Sequence, residues 1–403
     1  MAAWIPKAAI QVAKNQNAYA ACYAAQSRSC SSKPKIIKNP TTAKLKRGTG
    51  GRSSFNGIVC TIFGCNGFVG RYVCNRLGKI GTQLILPHRC DRYFVMPLKL
   101  CGDLGQVLFH PFELRDEESI IRSIKYSNVV VNLVGKDVES RNYDLYDVNV
   151  EGARTLARLA KQCNVERFIH VSCLNAEEHP EPRILPEGST ILKTKWLGEC
   201  AVREEFPEAT IIRPSVIYGQ EDEFMTHYMH AARRSLGQVP LWEKGLKTEK
   251  QPIHVSDVAA GIVAIARNCH TAGKTYQFVG PKRYLLHDLV KWFYDLACRG
   301  DEGIGYSITH IKHNPLFQVK VSINEFFYKI NPAVRTTWEV LEKQHVSDTV
   351  LPNLPTLEDL GITPIDMESQ IPWEIKPYRF YNYYIESLGE VVAPPPPKTI
   401  PLR

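Results

Sequence analysis

A glycine-rich segment carries the strongest chemical signal in the sequence. It reads Gly64-Cys65-Asn66-Gly67-Phe68-Val69-Gly70 and directly follows a short apolar stretch. Gly64 permits a tight turn, Gly67 lets a pyrophosphate approach backbone N–H groups at the positive end of a helix, and Gly70 lets that helix lie close to a sheet. The segment predicts a phosphate cradle for a dinucleotide, with Asn66 and Phe68 as further contacts. A purely structural turn is the alternative.

A cation stands where a carboxylate would bind the adenosine ribose of NAD. After the next apolar stretch the chain reads Leu86-Pro87-His88-Arg89, and a guanidinium suits a 2′-phosphate. We therefore expect NADP(H) as the cofactor, with Arg89 as the phosphate partner. The alternatives are that Arg89 is a solvated loop residue or that Asp91 supports NAD(H), and FAD is also compatible with the motif.

The elements that would position these residues alternate between strand and helix. Predicted strands are Ile58–Phe63, Gln83–Leu86, Gln106–His110, Val129–Val134, Arg167–Val171 and Ala209–Ile212. Predicted helices are Val69–Lys79, Glu117–Ser123, Asn149–Cys163, Lys193–Glu205 and Leu285–Cys298. Short apolar strands separated by helices indicate a parallel sheet covered on both faces. The predicted fold class is α/β: a Rossmann-type doubly wound parallel sheet followed by a smaller irregular C-terminal lobe.

Charge is distributed unevenly along the chain. No Asp or Glu precedes Asp91, whereas four Lys or Arg residues lie among the first 33. Residues 1–33 are also rich in Ala and Ser, as in a mitochondrial presequence; a basic arm that binds nucleic acid is the alternative. Removing them would lower the net charge from +9 to +5, which is too mild to argue for nucleic acid. We divide the remainder into a basic linker (34–56), a dinucleotide-binding domain (57–280) and a C-terminal lobe with a docking tail (281–403).

The cysteine and histidine patterns indicate neither a disulfide framework nor a metal centre. The twelve cysteines form no Cys-x-x-Cys pair and suit free thiols in a reducing compartment. His227 and His230, and likewise His310 and His313, lack Cys or carboxylate partners at ligand spacing. No apolar stretch approaches the ~20 residues that a membrane-spanning helix requires.

Further motifs give the chain a family resemblance. The motifs are Phe112-Glu113-Leu114-Arg115-Asp116, Asn132-Leu133-Val134-Gly135, Asn149-Val150-Glu151-Gly152-Ala153 and Ile211-Ile212-Arg213-Pro214-Ser215-Val216. In order and spacing they resemble the extended or atypical short-chain dehydrogenase/reductases, from about Ile58 to Gly280. The resemblance implies that Leu133 and Val134 line the cofactor. It also implies that Glu113 contacts the adenine edge and that the loop from Pro214 to Val216 lies beside the nicotinamide.

The resemblance fails at the catalytic motif. That family uses Tyr-x-x-x-Lys, but the corresponding segment here reads Ile191-Leu192-Lys193-Thr194-Lys195. Lys195 could still bind ribose hydroxyls, whereas Ile191 has no exchangeable proton. Ser172, which matches a residue that polarises the substrate carbonyl, would then lack its partner. We therefore expect no catalytic residue, unless Tyr218 or His170 replaces the missing hydroxyl.

The resemblance extends through the C-terminal lobe. Lys250-Gln251-Pro252, Phe278-Val279-Gly280-Pro281 and Leu354–Ile362 are similar to the accessory subunits of mitochondrial respiratory complex I that descend from this family. This implies a non-catalytic subunit that binds NADP(H) as a structural ligand and is needed for assembly or stability of the complex. It also implies a peripheral location on the matrix side of the inner membrane, beside other complex I subunits where the peripheral and membrane arms meet.

Two questions stay open from the sequence. The aromatic residues near the C-terminus would suit docking to neighbouring subunits or to membrane lipid, but they would equally suit packing on this chain's own sheet; they are Trp373, Tyr378, Phe380, Tyr381, Tyr383 and Tyr384. The alternative function is a free mitochondrial NADP-dependent reductase or epimerase. A sensor of the NADPH/NADP⁺ ratio is a third hypothesis, and it requires different affinities for the two forms.

Overall fold

A computed structural model describes residues 46–48, 50–230, 237–297, 306–328, 336–379 and 394–401. The chain forms two units, Met1–Lys44 and Leu45–Arg403, and all the described residues belong to the second. The predicted presequence therefore lies outside the described residues, as do four of the C-terminal aromatic residues, Phe380, Tyr381, Tyr383 and Tyr384.

The central sheet contains seven strands, all paired in parallel. They are β1 (Val59–Phe63), β2 (Gln83–His88), β3 (Val107–Pro111), β4 (Val129–Asn132), β5 (Arg167–Val171), β6 (Thr210–Pro214) and β7 (Thr275–Phe278). Their spatial order is β7-β6-β5-β4-β1-β2-β3. The order reverses between β1 and β4, so a crevice opens at the carboxyl ends of these two strands. The predicted α/β Rossmann-type fold is confirmed.

Helices cover both faces of the sheet. They are α1 (Phe68–Lys79), α2 (Glu117–Ile124), α3 (Gly152–Gln162), α4 (Thr190–Glu205) and α5 (Val255–Arg267). Apolar residues of α1 and α5 form one core with the sheet, and those of α2 and α3 form another on the opposite face. Because β1 and β4 are buried along their whole length, their sequences are almost entirely apolar, which is why the sequence predicted them well.

Strand β7 was not predicted, because half of its four residues are polar. One of these, Gln277, is fully buried and bonds to the lobe segment that covers the edge of the sheet. Its side-chain amide donates to the carbonyl of Leu351 (2.6 Å), and its backbone N–H donates to Pro355 (2.9 Å). The polar side chain therefore fits a buried edge strand only because a distant segment satisfies it.

The C-terminal lobe contains α6 (Leu286–Leu296), α7 (Pro315–Phe327), α8 (Trp338–His345) and α9 (Met367–Glu374). Short strands pair Gln238–Leu241 with Ser307–His310, and Ile217–Tyr218 with Ile253–His254, while a third group joins Glu249–Lys250, Arg283–Leu285 and Thr399–Ile400. Its core draws on residues both before and after position 280, including Tyr218, Val239, Phe293 and Ile371. No helix in the described ranges is long and apolar enough to cross a membrane.

A buried ion pair ties the lobe to the sheet domain. Lys250 donates to the carbonyl of Val346 (2.6 Å) and lies 3.4 Å from Asp348, and both side chains are at least 97% buried. Asp348 also accepts hydrogen bonds from the Gln251 N–H (2.9 Å) and from Asn175 (3.2 Å). A charge this deeply buried depends on its partner, because water cannot replace it.

Replacing Lys250 with Met should therefore lower the free energy of unfolding by about 3 kcal/mol, since an unpaired carboxylate would remain buried. Chemical denaturation followed by circular dichroism would measure the change. Lys247→Met is the matched control, because Lys247 pairs with Glu243 at 3.1 Å on the surface, and such a pair contributes less than about 1 kcal/mol. Equal effects of the two substitutions would contradict the assigned role of the buried pair.

Candidate functional site

The glycine-rich turn has a geometry that side chains would prevent. Gly64 has φ +84°, in the left-handed region, and the N–H of Gly67 donates to its carbonyl over 3.1 Å. A Cβ atom on Gly70 would lie 2.3 Å from the Gly64 oxygen and 2.7 Å from the Cys65 oxygen. Gly64 is therefore favoured by its positive φ, and Gly70 is required by the close packing of α1 against the turn.

The amino terminus of α1 is open to an anion. Its N-cap residue, Gly67, offers no side-chain acceptor, and the first turn holds no acidic residue. The first N–H groups of a helix lack internal acceptors and lie at the positive end of its dipole. A Cβ on Gly64 would lie 3.0 Å from the backbone of Leu133, so this terminus meets the end of β4 at the reversal of strand order. Leu133 and Val134 lie where the sequence predicts a cofactor.

Two predicted residues come together beyond the ends of β2 and β3. Arg89 is exposed, and its guanidinium carbon lies 5.5 Å from the ring centre of Tyr143. The Tyr143 hydroxyl donates a short hydrogen bond to Glu113, and Arg115 lies over the same ring at 4.5 Å. Tyr143 was missed, because it lies in a loop whose sequence gives no sign of this contact.

A second cation lies close to Arg89. Burial lowers the pKa of Lys136, and the charge of Arg89 lowers it further. The Lys136 backbone is held by Asn149, whose side-chain oxygen accepts its N–H and whose amide donates to its carbonyl, both over 3.1 Å. Adjacent cations repel each other, so this corner of the crevice favours an anionic ligand.

Ile191 and Lys195 lie on the first turns of α4, on the far side of the crevice. Ile191 is fully buried. The Lys195 amine approaches Gly135 so closely that a Cβ there would lie 2.2 Å from it. Burial lowers the pKa of Lys195, while the nearby Asp137 carboxylate acts in the opposite direction. Lys195 therefore lies beside the segment that follows β4.

Asp137 forms an ion pair with Lys343 of helix α8. Burial opposes ionisation of Asp137, but the charges of Lys343 and Lys195 prevail and lower its pKa. Burial likewise opposes the charge on Lys343, yet Asp137 raises its pKa above the usual range. Neither residue was predicted, and no local motif could have indicated Lys343, since the pair spans 206 positions of the chain.

His170 lies on β5, and Ser172 directly follows that strand. The Ser172 N–H donates to Ile212 (2.8 Å), but its buried hydroxyl has no hydrogen-bond partner among the residues that the structure describes. His170 contacts Asn132 through Nδ1 (3.1 Å). Burial lowers the pKa of His170 to about 3, with the charge of Lys195 acting in the same direction. His170 is therefore neutral near pH 7. The unpaired hydroxyl of Ser172 is available to hydrogen-bond a polar ligand.

The remaining predicted residues follow β6. The carbonyl of Pro214 accepts from Leu174 (2.9 Å), and that of Val216 accepts from Ile253 (2.9 Å), so the loop is held from both sides. The Tyr218 hydroxyl donates to the carbonyl of Ile365 over 3.5 Å. Burial raises the pKa of Tyr218 well above its usual value. Tyr218 is therefore a poor candidate to replace the missing catalytic tyrosine.

The sequence of residues 60–279 matches the model of the NAD dependent epimerase/dehydratase family, and this range covers the sheet and the crevice. The chain belongs to this family. Members share the sheet whose strand order reverses at the nucleotide crevice, so the resemblance that the motifs indicated is confirmed.

Curated relatives carry the similarity through the C-terminal lobe. The mouse protein named NADH dehydrogenase [ubiquinone] 1 alpha subcomplex subunit 9, mitochondrial, is 42% identical, and the match covers 89% of each chain. The Neurospora crassa protein named NADH-ubiquinone oxidoreductase 40 kDa subunit, mitochondrial, is 32% identical over 85% of this chain and 86% of its own. This family member therefore groups with mitochondrial complex I subunits.

Solved structures with bound UDP-glucose, one of them an epimerase, share its fold. The Thermotoga maritima UDP-glucose 4-epimerase bound to UDP-glucose has a TM-score of 0.55 at 15% identity, covering 82% of this chain and all of that one. MoeE5 in complex with UDP-glucose and NAD has a TM-score of 0.56 at 14% identity, covering 79% of this chain and 97% of that one. At such identity the likeness concerns the fold alone.

The depressed pKa of His170 makes stability depend on pH. The unfolded chain takes up a proton below about pH 6.5, whereas the folded chain resists it until about pH 3. Stability should therefore fall by up to about 1.4 kcal/mol per pH unit as pH decreases through this window. Urea denaturation of the wild type and His170→Gln at pH 7.5, 6 and 5 would measure it. Parallel pH profiles of the two proteins would contradict the assignment.

Proposed function

We propose that this chain is a non-catalytic accessory subunit of mitochondrial complex I that holds NADP(H) as a structural ligand. The observation that carries the proposal is the open amino terminus of α1, which faces the crevice without an acidic or capping side chain. Relatives that match most of the chain are named as complex I subunits, and this supports the accessory role.

The residues of the crevice fit a dinucleotide that carries an additional phosphate on its adenosine ribose. We infer that the following residues hold it: Gly64, Asn66, Gly67, Phe68 and Gly70 at the pyrophosphate, Arg89 and Glu113 at the adenosine, Leu133 and Val134 along the crevice, and Ser172, Lys195, Pro214 and Val216 at the nicotinamide. The cationic corner formed by Arg89 and Lys136 favours the extra phosphate of NADP(H) over NAD(H) or FAD. The bound nucleotide would supply hydride chemistry.

Among the described residues of the crevice, the candidates for a matching proton donor are poorly suited to the role. Isoleucine lies buried at position 191, His170 is neutral, and Tyr218 bonds to the backbone of Ile365. A ketone or alcohol substrate needs a positioned group to exchange its proton as hydride moves. We therefore infer that the nucleotide stabilises the folded chain by binding to it. A ligand that binds only the folded state adds about 2.7 kcal/mol to the free energy of unfolding when its concentration is about a hundred times its Kd.

Helix α7 offers the surface that best suits a partner. It exposes an apolar stripe consisting of Leu316, Val319, Ile323, Phe326 and Phe327, whose spacing of three and four residues places them on one face. Such a stripe is costly in water unless it is covered. Because the relatives are complex I subunits, we propose a neighbouring subunit as its occupant, on the matrix side of the inner membrane near the junction of the two arms.

A second candidate is a free mitochondrial NADP-dependent reductase or epimerase. It draws support from a Caulobacter vibrioides protein named ceramide reductase, 32% identical over 216 residues, although the match covers 52% of this chain and 61% of that one. This hypothesis requires steady turnover of NADPH. The structural role would be favoured if the purified protein did not turn over NADPH and if its depletion from mitochondria removed complex I from blue-native gels.

Arg89→Leu should raise the Kd for NADPH about 10- to 100-fold, equivalent to about 1.4–2.8 kcal/mol, because a charge-assisted bond to the 2′-phosphate is lost. The Kd for NADH should change by less than about threefold, since NADH lacks that phosphate. Isothermal titration calorimetry would measure both. Arg92→Leu is the matched control, because Arg92 is an exposed arginine three residues away. A similar loss of NADH affinity would argue against specific recognition of the phosphate.

Ile323→Glu should block assembly by placing a charge in the apolar stripe of α7. Expressed in mitochondria depleted of the endogenous protein, the variant should reduce complex I on blue-native gels by at least about fivefold while remaining folded. Leu104→Glu, at an exposed leucine outside the stripe, is the control because it adds the same single negative charge. Assembly of complex I at the wild-type level would contradict the proposal that the stripe docks a neighbouring subunit. Loss of vesicle flotation with intact assembly would instead assign the stripe to lipid.

A further inference from the structure

We propose that Lys343 of the lobe is a positioning residue of the dinucleotide site, and that helix α8 thereby transmits nucleotide occupancy to the docking helix α7. The inference rests on the proposed dinucleotide binding and adds a physical route by which a structural ligand would promote assembly. It depends on three sets of contacts that run from the crevice to the apolar stripe.

The first set lies at the crevice. Asp137 follows the end of β4, close to Lys195, and pairs with Lys343. The side chains of Asp137 and Lys343 retain 32% and 27% exposure, so water still reaches the pair. A nucleotide that binds Lys195 would exclude some of that water and would strengthen the attraction between Asp137 and Lys343, because the local dielectric falls. Binding should therefore tighten α8 against the crevice.

The second set fixes α8 over the start of α4. The buried Glu342 carboxylate accepts three backbone N–H groups in succession, from Arg183 (2.6 Å), Ile184 (2.5 Å) and Leu185 (2.9 Å). Glu339 accepts both the N–H (3.0 Å) and the hydroxyl (2.8 Å) of Thr190, the first residue of α4. These bonds hold α8 against the start of α4, the helix that carries Ile191 and Lys195.

The third set joins α8 to α7. Leu341 is fully buried in a small core with Phe317 and Val321, which lie on the inner face of α7. Trp338 packs against the same core. Since a helix with only two buried side chains of its own is weakly held, its stability depends on this core. A displacement of α8 would therefore loosen the helix that presents the stripe.

Coupling of this kind must be reciprocal. If NADPH stabilises the docked position of α8 by a given factor, then weakening that position must weaken NADPH binding by the same factor. A residue that merely supports the fold would lower stability without changing the difference between the free and the bound states. The measurable quantity is thus the NADPH-dependent change, not the stability itself.

Hydrogen exchange of the full-length protein, with and without saturating NADPH, tests the proposal. In the wild type, NADPH should slow exchange at least about threefold in residues 338–345 and 315–327. Lys343→Met should abolish most of this protection and raise the Kd for NADPH about 3- to 10-fold, whereas Lys343→Arg should restore both. Lys247→Met, an exposed lysine in an ion pair, should behave as the wild type.

Two outcomes would overturn the inference. One is a wild type that binds NADPH without protection in either helix, and this would leave the proposed dinucleotide site intact. The other is unchanged protection in both Lys343→Met and Asp137→Asn, which remove opposite partners of the pair. If the wild type bound no NADPH at all, the proposed function would fail together with the inference.

Discussion

The close approach of helix α1 to the turn after β1 is the constraint on which the rest of this structure depends. Only a hydrogen atom fits at Gly70, and Gly64 adopts a positive φ, so the helix begins with its N–H groups directed at the crevice. The end of β4 touches the same turn through Leu133. The glycine turn, the start of α1 and the end of β4 thus meet through close contacts between backbones.

Charged side chains, most of them buried, tie the C-terminal part of the chain to this framework. Lys250 with Asp348, Glu342 with the loop from Arg183 to Leu185, and Lys343 with Asp137 all join distant parts of the chain. Desolvated charges are costly unless each finds its partner, so such contacts specify one arrangement more strictly than apolar packing does. The lobe is accordingly an extension of the sheet domain, and the core of the lobe includes residues that precede position 280.

The part of the chain that matches the epimerase/dehydratase family holds both the glycine turn and a buried isoleucine at position 191. The buried hydroxyl of Ser172, which has no hydrogen-bond partner among the described residues, favours a polar ligand. The positive charges of Arg89 and Lys136 favour an anionic one. A tightly held ligand can select one conformation of a subunit, since it stabilises only the state that binds it.

By itself the sequence determined the six strands from β1 to β6, the glycine turn and the family, because apolar periodicity and the spacing of glycines are local properties of the chain. Tertiary structure alone decided the surroundings of these elements. Tyr143 meets Glu113 only after folding, β7 depends on a segment more than seventy residues downstream, and Lys343 reaches Asp137 across 206 positions. Contacts between distant side chains follow from the path of the backbone in space, which no local pattern records.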